Sequence, residues 1–359
     1  MGLRSKWLAL AALTLTSCYG YGYGYVEVGY VGCDPYYDDC YDDYYYYAWV
    51  PTSLAATDFD GDGRLDAVVS DGANGSVWFA RGQEGGGFAD PVAAPLTGHG
   101  ARLGVAAVNV DGDLRPDLLV LDGTPGDLVP WGGDGHGGFT ALAVTTQAAP
   151  TGPKVVRFAH GKLDADDLDD VVTLDEAGAL HVALGTGTGA FVEVGVGDGV
   201  ASFLGPDGVA RLDGVFLALA AFDDRPGTDL VVLDGTRASL ATFGGLGDGT
   251  FGPPRVVGTP PLDEVLDVAP VTLAAGKPPT LAVLSGRRLD VGAPTTLAVV
   301  RPTDGSYAVR PTAVGTARAL HAADLDGDGR TDLLVTDTLN RAIRTLHARE
   351  GAAKASGAR

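Results

Sequence analysis

The 359-residue chain carries 46 Asp and Glu against 25 Lys and Arg, a formal net charge of −21. Neutralising phosphates needs a basic stripe, so this balance argues against a nucleic-acid partner. Gly, at 54 residues, is about twice its average usage of roughly 7%. Each Gly costs a helix interior roughly 1 kcal/mol relative to Ala, and with 45% hydrophobic residues the chain reads as globular, turn-rich and all-β.

At the N-terminus, Arg4 and Lys6 precede an apolar run from Trp7 to Leu15, followed by Thr16, Ser17 and Cys18. The run is about half the ~20 residues of a membrane span, so residues 1–17 read as a signal peptide. Leu15-Thr16-Ser17-Cys18 resembles the bacterial lipobox. That resemblance implies lipidation at Cys18 and anchorage in the bacterial cell envelope. Tyr19, where an Asp would suggest retention at the inner membrane, leans toward the outer membrane, on its periplasmic or its surface face. Ordinary cleavage beside a chance Cys is the alternative.

Residues 18–50 form a Tyr/Gly/Asp-rich tract: 12 of the 13 Tyr lie between Tyr19 and Tyr47. Such a tract cannot bury its rings in a core of its own and reads as a tether between lipid and folded domain. A sticky aromatic surface is the functional rival. Cys33 and Cys40 are the simplest disulfide in an oxidising envelope; a metal site with Asp34, Asp38 and Asp39 is the alternative.

From Pro51 the chain repeats. Asp58-Phe-Asp60-Gly-Asp62-Gly-Arg64-Leu-Asp66 enters an apolar strand, as does Asp324-Leu-Asp326-Gly-Asp328-Gly-Arg330-Thr-Asp332. Weaker copies follow the same register: Asn109, Asp111, Asp113, Arg115 and Asp117; then Lys162, Asp164, Asp166 and Asp170. A fourth keeps Asp223 but has Arg225 at the next ligand position, and a fifth, 272–280, has no acid. The last positions of the loops, 66, 117, 170, 229, 280 and 332, are 51, 53, 59, 51 and 52 residues apart. Gly-rich turns end in Phe88, Phe139, Phe191 and Phe251, 22, 22, 21 and 22 residues past the anchors, and Tyr307 takes this part in the fifth unit. Each unit parses as four short strands, one propeller blade in about 50 residues.

The period and the loop resemble the FG-GAP or VCBS repeat family, best known from the propeller of integrin α subunits. Over 51–348 the resemblance implies a β-propeller with Ca²⁺ in the hairpin between the first two strands of some blades. Six units predict six four-stranded blades; seven would need a blade hidden in the 59-residue unit or the tether. The sixth unit ends after its third strand, so a strand near 45–50 is expected to close the ring, and 349–359 is expected to be a disordered tail.

The loop chemistry fits the ion. Ca²⁺ takes six to eight oxygens at roughly 2.3–2.6 Å. Asp58, Asp60, Asp62 and Asp66 offer carboxylates and Arg64 its backbone carbonyl, with the same pattern for Asn109, Asp111, Asp113, Arg115 and Asp117 and for Asp324, Asp326, Asp328, Arg330 and Asp332. Gly63 and Gly329 permit the positive φ that a short loop needs, whereas the second copy has Leu114 there. An EF-hand requires a bidentate Glu at its twelfth position, where these loops have Val69 and Val335. Mg²⁺ suits such protein-rich cages less well. In the third loop Lys162 is a possible substitute cation bridging Asp164 and Asp166. The fourth and fifth loops are expected to turn by packing alone, leaving two to four structural Ca²⁺.

The six His show neither zinc spacing nor a nucleophile context. The expected function is a lipid-anchored, calcium-stabilised binding or adhesion module for an envelope protein or glycan. A polysaccharide lyase or hydrolase on one propeller face is the alternative, and a purely structural envelope protein the third.

Overall fold

The computed structural model describes residues 31–33, 40–42 and most of 51–348. Within the last span it leaves out 72–74, 97–101, 123–125, 143–153, 195–213, 236–238, 259–263, 288–293, 303–306, 326–328, 338–341 and a few single positions and pairs. The signal peptide, Cys18, most of the Tyr-rich tract, the strand expected near 45–50 and the tail lie outside the described residues.

All regular structure among the described residues is β. Blade 1 is an antiparallel meander of Pro51–Thr57, Asp66–Asp71, Val77–Ala80 and Val92–Ala93, in that spatial order. Blades 2 to 5 repeat it over 102–141, 155–193, 215–258 and 265–313. Blade 6 shows three strands among the described residues, Leu320–Ala323, Asp332–Asp337 and Ala342–Leu346. Apart from the blades, Val31–Cys33 pairs with Cys40–Asp42 in a register that sets Cys33 opposite Cys40. The extra length of the 59-residue unit falls at 195–213, between the outer strand of blade 3 and the inner strand of blade 4.

Six apolar clusters fill six seams, each between one blade and the next. One of them joins the ends of the repeat: Leu54, Val69 and Phe88 of blade 1 pack with Ala319, Leu334 and Ile343 of blade 6. The chain therefore closes into a six-bladed β-propeller. The second strands show why the sequence demands this. Runs such as Leu118-Leu119-Val120-Leu121 are apolar at successive positions, not at alternate ones, so both faces of the strand need cover. Stacked blades supply it, and the second strands of blades 1 to 4 and 6 are buried along their whole length. Each fully buried Leu or Val there contributes roughly 1.5–3 kcal/mol.

The inner strands surround the axis and are tied to one another. Ser53 Oγ donates to the Val105 carbonyl at 3.0 Å, and the Leu320 amide donates to Asp267 Oδ2 at 2.8 Å. A meander reverses at every hairpin, so the inner-to-second loops and the Gly-rich third-to-outer turns share one end of the ring. The predicted metal loops all lie on that face.

Candidate metal loops

Each acidic loop ends on an Asp that opens the second strand. Asp66, Asp117, Asp170, Asp229 and Asp332 are no more than 2% exposed. One oxygen of each accepts from the amide of the second loop residue: Phe59 at 3.0 Å, Val110 at 2.9 Å, Leu163 at 2.7 Å, Phe222 at 2.9 Å and Leu325 at 3.1 Å. The other oxygen accepts from the end of the third strand, from Gly82 at 2.8 Å, Gly133 at 3.0 Å, Gly185 at 2.9 Å, Gly245 at 3.0 Å and Ala348 at 2.7 Å. A buried carboxylate thus bolts three strands of its blade together. A Cβ on any of these four glycines would stand 2.2–2.7 Å from the carbonyl oxygen of the residue before the anchor, so the close approach requires glycine. The second loop residue plugs the seam: Phe59 meets Phe139 edge-on at 5.4 Å and Phe79 at 6.1 Å between centroids.

Ahead of the anchor, the loop wraps around its own carboxylates. Asp58 Oδ1 accepts from the amides of Gly61 and Asp62, at 2.8 and 3.1 Å, and its Oδ2 from that of Gly63 at 2.8 Å. Gly63 has φ 84°, and Gly329 repeats it in the sixth loop with φ 77° and an amide 2.8 Å from Asp324 Oδ2. Leu114 takes the same conformation at φ 67°, its side chain 83% exposed. A left-handed conformation costs a non-glycine residue roughly 1–2 kcal/mol.

Three loops bring carboxylates together. Oxygens of Asp58, Asp60 and Asp66 lie within 4.8 Å of one another, as do those of Asp111, Asp113 and Asp117, and of Asp164, Asp166 and Asp170. Two oxygens on one Ca²⁺, each at about 2.3–2.6 Å, stand at most about 5 Å apart, so each donor set fits that ion. Burial raises the pKa of Asp66, Asp117 and Asp170 despite the backbone amides they accept, and a neighbouring acid (Asp60, Asp111 or Asp164) adds to the rise. A cation among them would reverse the effect of the like charges.

The remaining predicted ligands are placed as follows. Asp62 stands outside the first cluster and pairs with the Arg64 guanidinium at 2.6 Å. In the second loop Asp113 belongs to the cluster and also pairs with Arg115, which outweighs burial and lowers its pKa. Asn109 turns its Oδ1 to the Gly112 amide at 3.1 Å. Lys162 does not bridge Asp164 and Asp166; its ammonium reaches Asp167 at 3.1 Å, leaving the cluster to itself. In the sixth loop Asp326 and Asp328 lie outside the described residues, while Asp324 and Asp332 hold the positions of Asp58 and Asp66.

The fourth loop does more than pack. Arg225, at the position of Asp62, donates through Nε to Asp223 Oδ2 at 2.8 Å, and this hydrogen bond lowers the Asp223 pKa. Its amide donates to Asp223 Oδ1 at 2.8 Å, the equivalent of the bonds that the Asp62, Asp113 and Asp166 amides make in their loops at 3.2, 3.0 and 3.0 Å. The loop keeps its turn and brings its own cation. In the fifth, Thr280 replaces the anchor and donates to the Val271 carbonyl at 3.2 Å.

Sequence reasoning missed the contacts that lock loop to loop. The residue before the anchor reaches the first residue of the preceding blade's loop: Asp169 Oδ2 accepts from the Asn109 amide at 2.7 Å, Thr228 Oγ1 donates to the Lys162 carbonyl at 2.6 Å, and Thr331 Oγ1 accepts from the Thr272 amide at 2.9 Å. Arg81 stands 3.4 Å from Asp60 and donates to the His136 carbonyl in the next blade at 2.8 Å. A polar residue just before three of the anchors, Asp169, Thr228 and Thr331, was the available signal. Two half-buried groups on the inner strands were also overlooked. Burial pushes Asp267 up to about 7 and His321 down to about 4. Among the described residues, no other group of three His, Cys, Asp or Glu converges as the Asp loops do.

These loops, set at one end of a closed ring of blades, define a β-propeller built from acidic-loop repeats. Residues 58–120, from the first loop through most of the second strand of blade 2, match the FG-GAP-like repeat. A search of the curated proteins finds no match. Among solved structures, the BP39L lectin from Burkholderia pseudomallei is similar at 18% identity and TM-score 0.50, with 83% of this chain and 99% of that one covered. BBS1N, solved in complex with ARL6DN, gives 13% identity and TM-score 0.49 over 85% and 94% of the two chains. A protein from Lactobacillus plantarum gives 14% and 0.45 over 84% and 85%. At these identities the likeness is one of fold.

Proposed function

We propose that this protein is a calcium-stabilised binding or adhesion module, anchored in the bacterial cell envelope by lipid on Cys18, whose propeller presents its loops to an envelope protein or glycan. The observation that carries the reading is the recurrence of three Asp carboxylates within 4.8 Å at one position of three successive blades. Asp58, Asp60 and Asp66, with their counterparts at 111, 113 and 117 and at 164, 166 and 170, would hold the ions, and 324–332 repeats the motif. A bound ion there neutralises clustered acids and ties the inner-to-second loop to the blade. Its role is structural, since binding to the native state alone adds stability. A Cys33–Cys40 disulfide would close the hairpin in the tether. The fold shared with a lectin makes glycans the first ligands to try.

The test takes the mature protein, measures its melting temperature with EGTA and with added Ca²⁺, and screens the Ca²⁺-loaded form against a glycan array and envelope extracts. Calcium should raise the melting temperature, and a glycan or envelope protein should be retained. An unchanged melting curve would sink the calcium assignment. Failure to retain any glycan or envelope protein would count against the binding role.

A further inference from the structure

His181 lies on the third strand of blade 3, Leu180–Gly185, away from the metal loops. Its Nε2 is 3.0 Å from Asp175 Oδ2 and its Nδ1 is 3.0 Å from Glu193 Oε1. Asp175 closes the second strand and is buried; Glu193 ends the outer strand and is about half exposed. A neutral imidazole has one N–H and one lone pair, so between two carboxylates it satisfies one and turns a lone pair on the other. Only the imidazolium donates to both.

We propose that His181 is a proton-operated clasp, fastening the outer strand of blade 3, Phe191–Glu193, across the third strand to the second and loosening that edge when the imidazole loses its proton. The rest of the attachment is slight. Among the described residues the outer strand pairs through Phe191, Val192 and Glu193, of which Phe191 alone is buried, and the Val194 amide adds one bond to the Val182 carbonyl at 3.0 Å. Asp175 is the fixed jaw, since its Oδ1 also accepts from the amides of Ala177 and Ala179 at 2.9 and 2.8 Å. Glu193 is the moving one.

Burial works against the charged ring, but the hydrogen bonds and charges of Asp175 and Glu193 outweigh it and raise the His181 pKa. These are the two charged groups that face it from the strands on either side. A raised folded value means that the clasp contributes fully below the unfolded pKa of about 6.5 and is lost as the pH climbs through the raised value.

The test is amide hydrogen exchange on the intact protein at about pH 5.5 and about pH 8.5, corrected for intrinsic rates, with NMR titration of the His181 ring. Protection of the Val192 and Val194 amides should fall roughly two- to fivefold between the two, the range of partly exposed ion pairs. His181→Gln and Glu193→Gln should each flatten that dependence. Protection that does not change with pH, an unaltered dependence in both variants, or a ring that titrates at or below the ordinary histidine value would overturn the clasp.

Discussion

Blades 3 and 4 share a seam, and their loops meet the same electrostatic problem with different means. In blade 3, Asp164, Asp166 and Asp170 converge and Lys162 turns away to Asp167. In blade 4, Arg225 replaces the middle acid and neutralises Asp223 from within the chain. What they hold in common is the buried anchor, Asp170 or Asp229, and the glycine amide that reaches it, Gly185 or Gly245. The anchor therefore belongs to the fold, and the acids ahead of it are the part that calls for a cation. An acidic loop of this type is two devices in one sequence: a bolt kept in blades 1 to 4 and 6, and an acidic cluster that a blade can exchange for an arginine.

The largest effect that separates the two devices should come from the bolt where there is no cage. Asp229→Ala strands the amides of Phe222, Asp223 and Gly245 and should cost about 3–5 kcal/mol by chemical denaturation, with or without Ca²⁺. Equal losses at low and high calcium support the separation; a loss seen only with calcium would merge the devices. Next in size is the cage. Asp60→Ala should leave the calcium-free protein nearly as stable as before and remove one ion's share of the calcium effect, about 2.7 kcal/mol per site at a hundredfold excess over the dissociation constant. Smaller again, Leu114→Gly relieves a left-handed leucine whose side chain is largely exposed, and should stabilise the protein by up to about 1 kcal/mol in thermal melts. Smallest of all, Arg225→Met should lower the stability only slightly, because the pair is exposed, and the loss should shrink in high salt.

The blades were legible in the sequence because two landmarks recur at fixed distances, the Asp that opens the second strand and the aromatic that closes the Gly-rich turn. Unbroken apolar runs between them, such as Leu230-Val231-Val232-Leu233, announce a strand covered on both faces. The left-handed turns at Gly63 and Gly329 were legible as well, since few other residues adopt that conformation. The division of labour among the acids was not. Asp58 and Asp66 look alike in the motif, but one faces its own loop and the other is buried and accepts from an amide 16 residues away. Spacing records which residues recur; it does not record which donors come to meet them. For the same reason Gly82 was read past, although its amide is the donor to Asp66 and a side chain there would strike the Leu65 carbonyl. Lys162 was legible as a cation beside acids, but its long side chain had several carboxylates within reach, and it takes Asp167.

The most direct measurement is hydrogen exchange by mass spectrometry on the mature protein, with calcium and with EGTA, resolved loop by loop. Calcium should protect 58–66, 109–117 and 162–170 and leave 221–229 unchanged, because Arg225 already stands in that loop. Protection spread evenly over all the loops, or none in the three acidic ones, would contradict it.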